Sequence, residues 1–184
     1  MRYIAFLRAI NVGKRQVKMA RLRQLFEECG LKKVETFIAS GNLLFETPSQ
    51  NEEALRKKIE KHLQASLGFE VVVFLRNKNE MAAIADYRAF TAPETKGKDA
   101  RVFVGFLSTA PGKEAVASLT SCSDKLNKFR VHGCELYWLA RGNILESGFY
   151  GPRLEKTIGM RTTLRNINTV QRLAAKLATG PAEL

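Results

Sequence analysis

Two clusters of polar residues near the start of the chain have the composition of an anion-binding site. The first cluster follows the apolar run 3–7, and the second follows the mainly apolar run 34–39. The clusters consist of Arg8, Asn11, Gly13, Lys14, Ser40, Gly41 and Asn42, which we call the rim. Guanidinium, amide, hydroxyl and exposed backbone N–H groups are donors suited to a phosphate or a carboxylate. The residue types therefore predict an anion-binding site, provided that the fold brings the two clusters together.

A βαββαβ order of elements would bring them together. Residues 2–7 are apolar on both alternating faces, which is typical of a central strand buried on both sides. A helical pattern follows over 18–29, and two short strands over 34–39 and 43–46 flank the turn at 40–42. A second helix and a further strand complete the unit.

This topology predicts where Arg8 lies. The first two strands of such a unit are parallel, so both end at the same edge of the sheet, and the third strand runs back beside the first. Arg8 should therefore lie within hydrogen-bonding reach of the turn at 40–42, or of an anion bound between them. The alternative is that Arg8 and the two Asn side chains only satisfy backbone groups of the loops, as Asn does in turns.

The same order of elements recurs in the second half of the chain. Its pattern predicts a strand, a helix, a hairpin and a short helix over 152–158, followed by an extended piece and a last helix. Asn168 is predicted to cap this last helix. The predicted fold class is therefore α+β, with two ferredoxin-like βαββαβ units in tandem that arose by internal duplication.

The predicted domains follow from this repeated order. Residues 1–87 form the first lobe, residues 88–100 form a linker because they lack periodicity, and residues 101–184 form the second lobe with the C-terminal helix. A similarity between 39–44 and 140–145 does not support the duplication. The first of these segments lies between two strands of its unit, whereas the second follows both strands of its own.

The formal net charge of +12 is concentrated in two segments. Residues 1–33 carry nine Lys or Arg and two Glu, which gives a net charge of +7. Residues 153–176 carry six Lys or Arg and one Glu, which gives a net charge of +5. Concentrated positive charge attracts polyanions. Weak binding of nucleic acid without sequence preference is one expectation, and a basic solubilising surface is the other. An RNA-recognition module is disfavoured because a sheet covered on both faces offers no platform for base stacking.

The standard signatures of catalysis, metal binding and cofactor binding are missing from the sequence. There is no Gly-rich dinucleotide or phosphate loop, no His-Glu-x-x-His and no Cys-x-x-Cys. Cys122, His132 and Cys134 match no zinc spacing and lack a fourth ligand, so we predict no metal and no cofactor. The odd number of cysteines, the short apolar runs and the lack of a signal-peptide pattern predict a cytoplasmic protein without a membrane partner.

Four segments carry a resemblance to a known family: residues 3–13, Met19-Ala-x-Leu22, the Gly41-Asn42 turn and Thr162-Thr-Leu-Arg-Asn-Ile-Asn-Thr-Val170. In these segments the chain resembles the bacterial family called Domain of Unknown Function sixteen-ninety-seven. The resemblance implies a duplicated α+β fold in a bacterial cytoplasmic protein, and it implies no activity, substrate or cofactor. Ile167 stands where the family usually has Trp, and Pro152 where it usually has Ser. If either position contacts a ligand, this member has lost or altered that contact.

Three functions are open from the sequence. The leading hypothesis is recognition of an anionic ligand, either a phosphorylated small molecule or a nucleic-acid backbone, at the rim. The second is a small-molecule enzyme whose site joins the rim to Arg165 and Asn166, which requires the lobes to pack with their polar edges together. The third is an interaction module without a ligand.

Overall fold

The alternation of buried strands and amphipathic helices produces two four-stranded sheets. The structure is a computed structural model that describes residues 1–11, 16–38, 41–144, 147–149 and 151–179. Its elements in chain order are β1 (Arg2–Leu7), α1 (Met19–Glu28), β2 (Lys32–Thr36), β3 (Asn42–Glu46), α2 (Glu52–Leu67), β4 (Val73–Asn77), α3 (Lys78–Asp86), α4 (Ala92–Thr95), β5 (Ala100–Phe106), α5 (Lys113–Ser121), β6 (Asn127–His132), β7 (Glu135–Arg141), α6 (Pro152–Ile158), β8 (Thr163–Asn166) and α7 (Ile167–Thr179).

The chain divides into two compact units. The first unit comprises Met1–Ala83 together with the chain from Arg172 onward, and the second comprises Ile84–Gln171. The divisions fall inside α3 and α7, whereas the predicted divisions were at residues 87 and 100. The segment predicted to be a linker lies in the second unit and contains α4.

The first sheet is built around β1. This strand pairs antiparallel with β3 on one side and with β4 on the other, and β2 pairs with β3 at the edge. Because β1 has neighbours on both sides and apolar residues on both faces, all its residues from Tyr3 to Leu7 are buried. The prediction of a central first strand is confirmed.

One face of the first sheet packs against α1 and α2. Helix α1 buries Leu22, Leu25 and Phe26, and α2 buries Leu55, Ile59 and Leu63, which is the spacing of one helix face. These side chains form a single core with the β1 residues Tyr3, Ala5 and Leu7. The end of α7 also belongs to this unit, since Arg2 Nη1 donates to the carbonyl oxygen of Lys176 at 3.2 Å.

The second unit repeats the arrangement. Strand β5 pairs antiparallel with β7 and β8, and β6 pairs with β7. Trp138, the only tryptophan of the chain, is fully buried among residues of the sheet, α5 and α6. Its indole Nε1 donates to Asn127 Oδ1 at 3.0 Å, so the buried N–H group is satisfied.

The predicted fold class is confirmed, because the chain is α+β and its elements fit two tandem βαββαβ-like units. The sheet orders β2-β3-β1-β4 and β6-β7-β5-β8 are the same order of strands within each unit. A repeat that the sequence analysis overlooked, Leu-Arg-Asn-x-Asn, marks the fourth strand of both units, at 75–79 and 164–168.

The first Asn of each repeat caps the helix that follows. Asn77 Oδ1 accepts from Asn79 N at 2.9 Å, and Asn166 Oδ1 accepts from Asn168 N at 2.9 Å. The predicted cap of the last helix was therefore wrong by two residues, since Asn166 rather than Asn168 caps α7. None of the helices in the described part of the chain combines the length and apolar character needed to cross a membrane.

Candidate functional site

The backbone brings the two halves of the rim side by side in the first unit. Leu7 N, at the end of β1, donates to the carbonyl oxygen of Gly41 at 2.8 Å. Phe6 is the pairing partner of Asn42, and Arg8 N donates to the carbonyl oxygen of Val72 at 2.9 Å. The end of β1 therefore lies between Gly41 and the start of β4.

Gly41 allows the turn to approach the end of β1 closely. Its φ is +68°, a value that side chains disfavour. A Cβ at this position would lie 2.9 Å from Ile10 Cγ2 and 3.2 Å from Leu7 Cβ. The glycine is thus required by both the backbone conformation and the contact with the loop after β1.

Two other residues near the rim adopt left-handed backbone conformations. Ala9 has a φ of +57° and Ile38 a φ of +58°, and neither is a glycine. Ile38 is also one of the exposed large apolar side chains. Non-glycine residues in this region cost roughly 1–3 kcal/mol each and concentrate at functional sites.

Two of the rim amides satisfy loop backbone. Asn42 is fully buried, and its Nδ2 donates to the carbonyl oxygen of Phe37 at 3.1 Å. Asn11 Oδ1 accepts from Val17 N at 2.8 Å. These atoms hold the two loops in shape, which is the role that the alternative interpretation assigned to them. Arg8 is partly exposed and supplies the cationic group among the described rim residues.

Five further residues were predicted for the site. Gly13, Lys14 and Ser40 fall outside the described residues. Arg165 and Asn166 belong to the second unit, on β8. No three His, Cys, Asp or Glu side chains within the described ranges are grouped closely enough to hold a metal ion.

A cavity of about 790 Å³ lies wholly within the second unit, and the sequence analysis did not predict it. Its walls are formed by the C-terminal end of α3, by α4, β5 and β7, and by the junction of β8 with α7. Arg88, Lys98 and Arg101 supply cations, and Asn166, Asn168 and Gln171 supply amides. Among the described residues that line it, none is Asp or Glu.

One wall of this cavity is fixed by Glu94. Its carboxylate accepts from Thr91 N at 2.9 Å and from Lys128 Nζ at 3.0 Å, and it lies 3.4 Å from Arg130 Nη2. The hydrogen bond from Thr91 N, together with that from Lys128, lowers the pKa of Glu94 to about 2. Arg141 donates to the carbonyl oxygens of Glu94 and Lys96. Ion pairs and hydrogen bonds therefore connect the segment around α4 to β6 and β7.

Comparisons with known proteins give a family and a structural relative. Residues 1–137 match the family described as protein of unknown function, DUF1697. A solved structure, that of the conserved bacterial protein SP0830 from Streptococcus pneumoniae, is similar with a TM-score of 0.75 and 24% sequence identity. The similarity covers 95% of this chain and 98% of that one, and at this identity it bears on the fold alone. None of the curated proteins is significantly similar in sequence.

Proposed function

Because the chain belongs to the DUF1697 family, whose description assigns no activity, we propose a function from the chemistry of the rim: recognition of a phosphorylated small molecule. The observation that carries the proposal is the hydrogen bond from Leu7 N to Gly41 O. Arg8 is the next residue along the chain, and Gly41 immediately precedes β3. A guanidinium beside a glycine turn is a combination suited to a phosphate group.

The strained backbone near the rim supports the proposal. Ala9 follows Arg8 directly, and Ile38 lies in the segment that leads to Gly41. Both keep positive φ values although neither residue favours them. Strain of this kind persists only where the surrounding structure holds the backbone in place, and it is concentrated at active sites and ligand-binding sites.

The ion pairs of α1 favour a small anion over nucleic acid. Arg21 Nη1 lies 3.2 Å from Glu28 Oε1, and Arg23 Nε lies 2.9 Å from Glu27 Oε1. These carboxylates offset two of the cations that a polyanion would need along the basic N-terminal segment. Apart from Lys14, no rim residue is a side chain that commonly acts as a general acid or base, so binding is favoured over catalysis.

Calorimetric titration with inorganic phosphate, pyrophosphate and a nucleoside monophosphate tests the proposal. Wild type should bind at least one of these, and Arg8→Ala should weaken binding by about tenfold or more, because hydrogen bonds to charged groups contribute about 1.5–3 kcal/mol. Arg56→Ala is the matched control, since Arg56 is an arginine of the same unit on α2, where it pairs with Glu60 at 2.9 Å. It should bind like wild type.

Two outcomes would contradict the proposal. If Arg8→Ala lowers the melting temperature and no probe binds to wild type, Arg8 has a structural role. If instead duplex DNA binds with a log–log salt slope of about −0.9 per neutralised phosphate, and Arg8→Ala changes that affinity little, the protein recognises polyanions through its overall charge.

A further inference from the structure

We infer that the cavity of the second unit is a binding site for a phosphate ester whose uncharged part forms hydrogen bonds. The volume of about 790 Å³ lies in the range of small-molecule sites in proteins. All the described lining residues come from the second unit, so this inference does not depend on the rim of the first.

Within the described ranges, no carboxylate forms an ion pair with the cations of the cavity. Arg88, Lys98 and Arg101 are exposed, and none of them lies within 4.0 Å of a carboxylate in the described part of the chain. Neighbouring cations differ, because Lys128 and Arg130 are both paired with Glu94. Three exposed cations around a cavity whose described lining contains no carboxylate favour a ligand with more than one negative charge.

The residues at the start of α7 offer donors of a different kind to the cavity. Asn168 and Gln171 lie in the first turns of α7, and Asn166 caps that helix. The N-terminus of a 13-residue helix carries a partial positive charge that favours an anion. The side-chain amides can both donate and accept, so they are suited to the hydroxyl or carbonyl groups of a sugar or a base.

Contacts within the protein fix the residues around the cavity. Thr91 and Glu94 form a reciprocal capping box at α4. Glu94 also forms ion pairs with Lys128 and Arg130 on β6. Phe90 is buried beneath the Arg130 guanidinium, which lies 5.5 Å from the ring centroid. Tyr87 is stacked on His132 with ring centroids 4.2 Å apart. A preformed wall reduces the ordering cost of binding.

Titration with AMP, glucose 6-phosphate and inorganic phosphate tests this inference. One ester should bind saturably and more tightly than inorganic phosphate, and its identity distinguishes a nucleoside phosphate from a sugar phosphate. Arg88→Ala and Arg101→Ala should each weaken that binding about tenfold or more, since each removes a charge-assisted donor. Arg101→Lys keeps the charge but not the planar fork, and should retain an intermediate affinity.

The controls separate this site from the rim. Lys125→Ala removes an exposed cation of the same unit that does not line the cavity, and it should bind like wild type. Arg8→Ala should also leave ester binding to the cavity unchanged. Trp138 fluorescence reports on whether the second unit is folded in each variant.

Two results would overturn the inference. One is equal affinity of wild type, Arg88→Ala and Arg101→Ala for the ester, with all three folded. The other is no binding of any of the three probes to wild type at millimolar concentration. A loss of ester binding in Arg8→Ala alone would assign the ester to the rim instead.

Discussion

Arg76 and Arg165 occupy equivalent positions in the two units. Each lies on the fourth strand opposite a residue of the central strand, Arg76 opposite Ile4 and Arg165 opposite Val104. They are only 6% and 9% exposed, and each donates from Nη1 to the carbonyl oxygen of the preceding leucine, at 2.6 Å and 2.8 Å. A buried guanidinium is costly unless its donors are satisfied. The presence of a buried arginine in both copies of the Leu-Arg-Asn repeat indicates a structural role common to the two units.

The structural role of Arg165 predicts a loss of stability on truncation. Arg165→Ala removes the hydrogen bonds to Thr163 Oγ1 and to the Leu164 carbonyl oxygen and leaves buried space unfilled. We expect the free energy of unfolding to fall by about 2–4 kcal/mol, measured by urea unfolding with Trp138 fluorescence. The exposed Arg88 is the control, since Arg88→Ala should change stability by no more than about 0.5 kcal/mol. Unchanged stability in Arg165→Ala would point to a binding role for this arginine.

The close contact at Gly41 predicts that an added methyl group is destabilising. Gly30→Ala is the matched control, because Gly30 has a similar φ of +79° but no atom within 4 Å of the added Cβ. We expect Gly30→Ala to cost about 1–2 kcal/mol from the backbone conformation alone. Gly41→Ala should cost about 1–3 kcal/mol more because Ile10 and Leu7 must shift. Equal losses in urea unfolding, followed by circular dichroism, would mean that the loop after β1 accommodates the methyl group freely.

The lowered pKa of Glu94 predicts a pH-dependent contribution to stability. The carboxyl ionises at about 2 in the folded protein against an ordinary value of 4.5. The stabilisation is therefore complete above about pH 4.5, decreases as the pH falls below that value, and is absent below about pH 2. Glu94→Gln should be less stable than wild type at neutral pH, and the difference should shrink over this acidic range.

Unfolding at a series of pH values, followed by Trp138 fluorescence, checks the Glu94 prediction. Glu114→Gln, which replaces an exposed acid on α5, is the control and should change stability at neutral pH by about 0.5 kcal/mol or less. A constant difference between Glu94→Gln and wild type down to pH 3 would show that the ion pairs around α4 do not contribute in this way.

Much of the fold could be predicted because it depends on local patterns. The predicted bounds 2–7 and 152–158 agree with β1 and α6. The first has apolar residues on both faces, and the second has Pro152 at its first position and Gly159 at its end. The hydrogen bond from Leu7 N to Gly41 O fits the predicted βαββαβ topology, in which β1 ends at the same edge as the turn before β3.

The cavity and the partners of the rim amides could not be predicted in this way. Helix α4 has four residues and no periodicity, and its position depends on Glu94 meeting Lys128 and Arg130, which are 34 and 36 residues away. The amide of Asn42 binds the Phe37 carbonyl oxygen because both lie at the same turn in the folded chain. Such choices of partner depend on tertiary contacts that a single sequence does not display.

The membership of α7 has a consequence for biosynthesis. Residues of the second unit form one uninterrupted stretch, inserted between two parts of the first. On the ribosome, where the chain emerges from its N-terminus, the stretch 84–171 is therefore complete before the first unit has received the later part of α7. The carbonyl oxygen that accepts the hydrogen bond of Arg2 belongs to Lys176, which is translated 174 residues later. The first unit thus cannot form all of its contacts until the second unit has been translated.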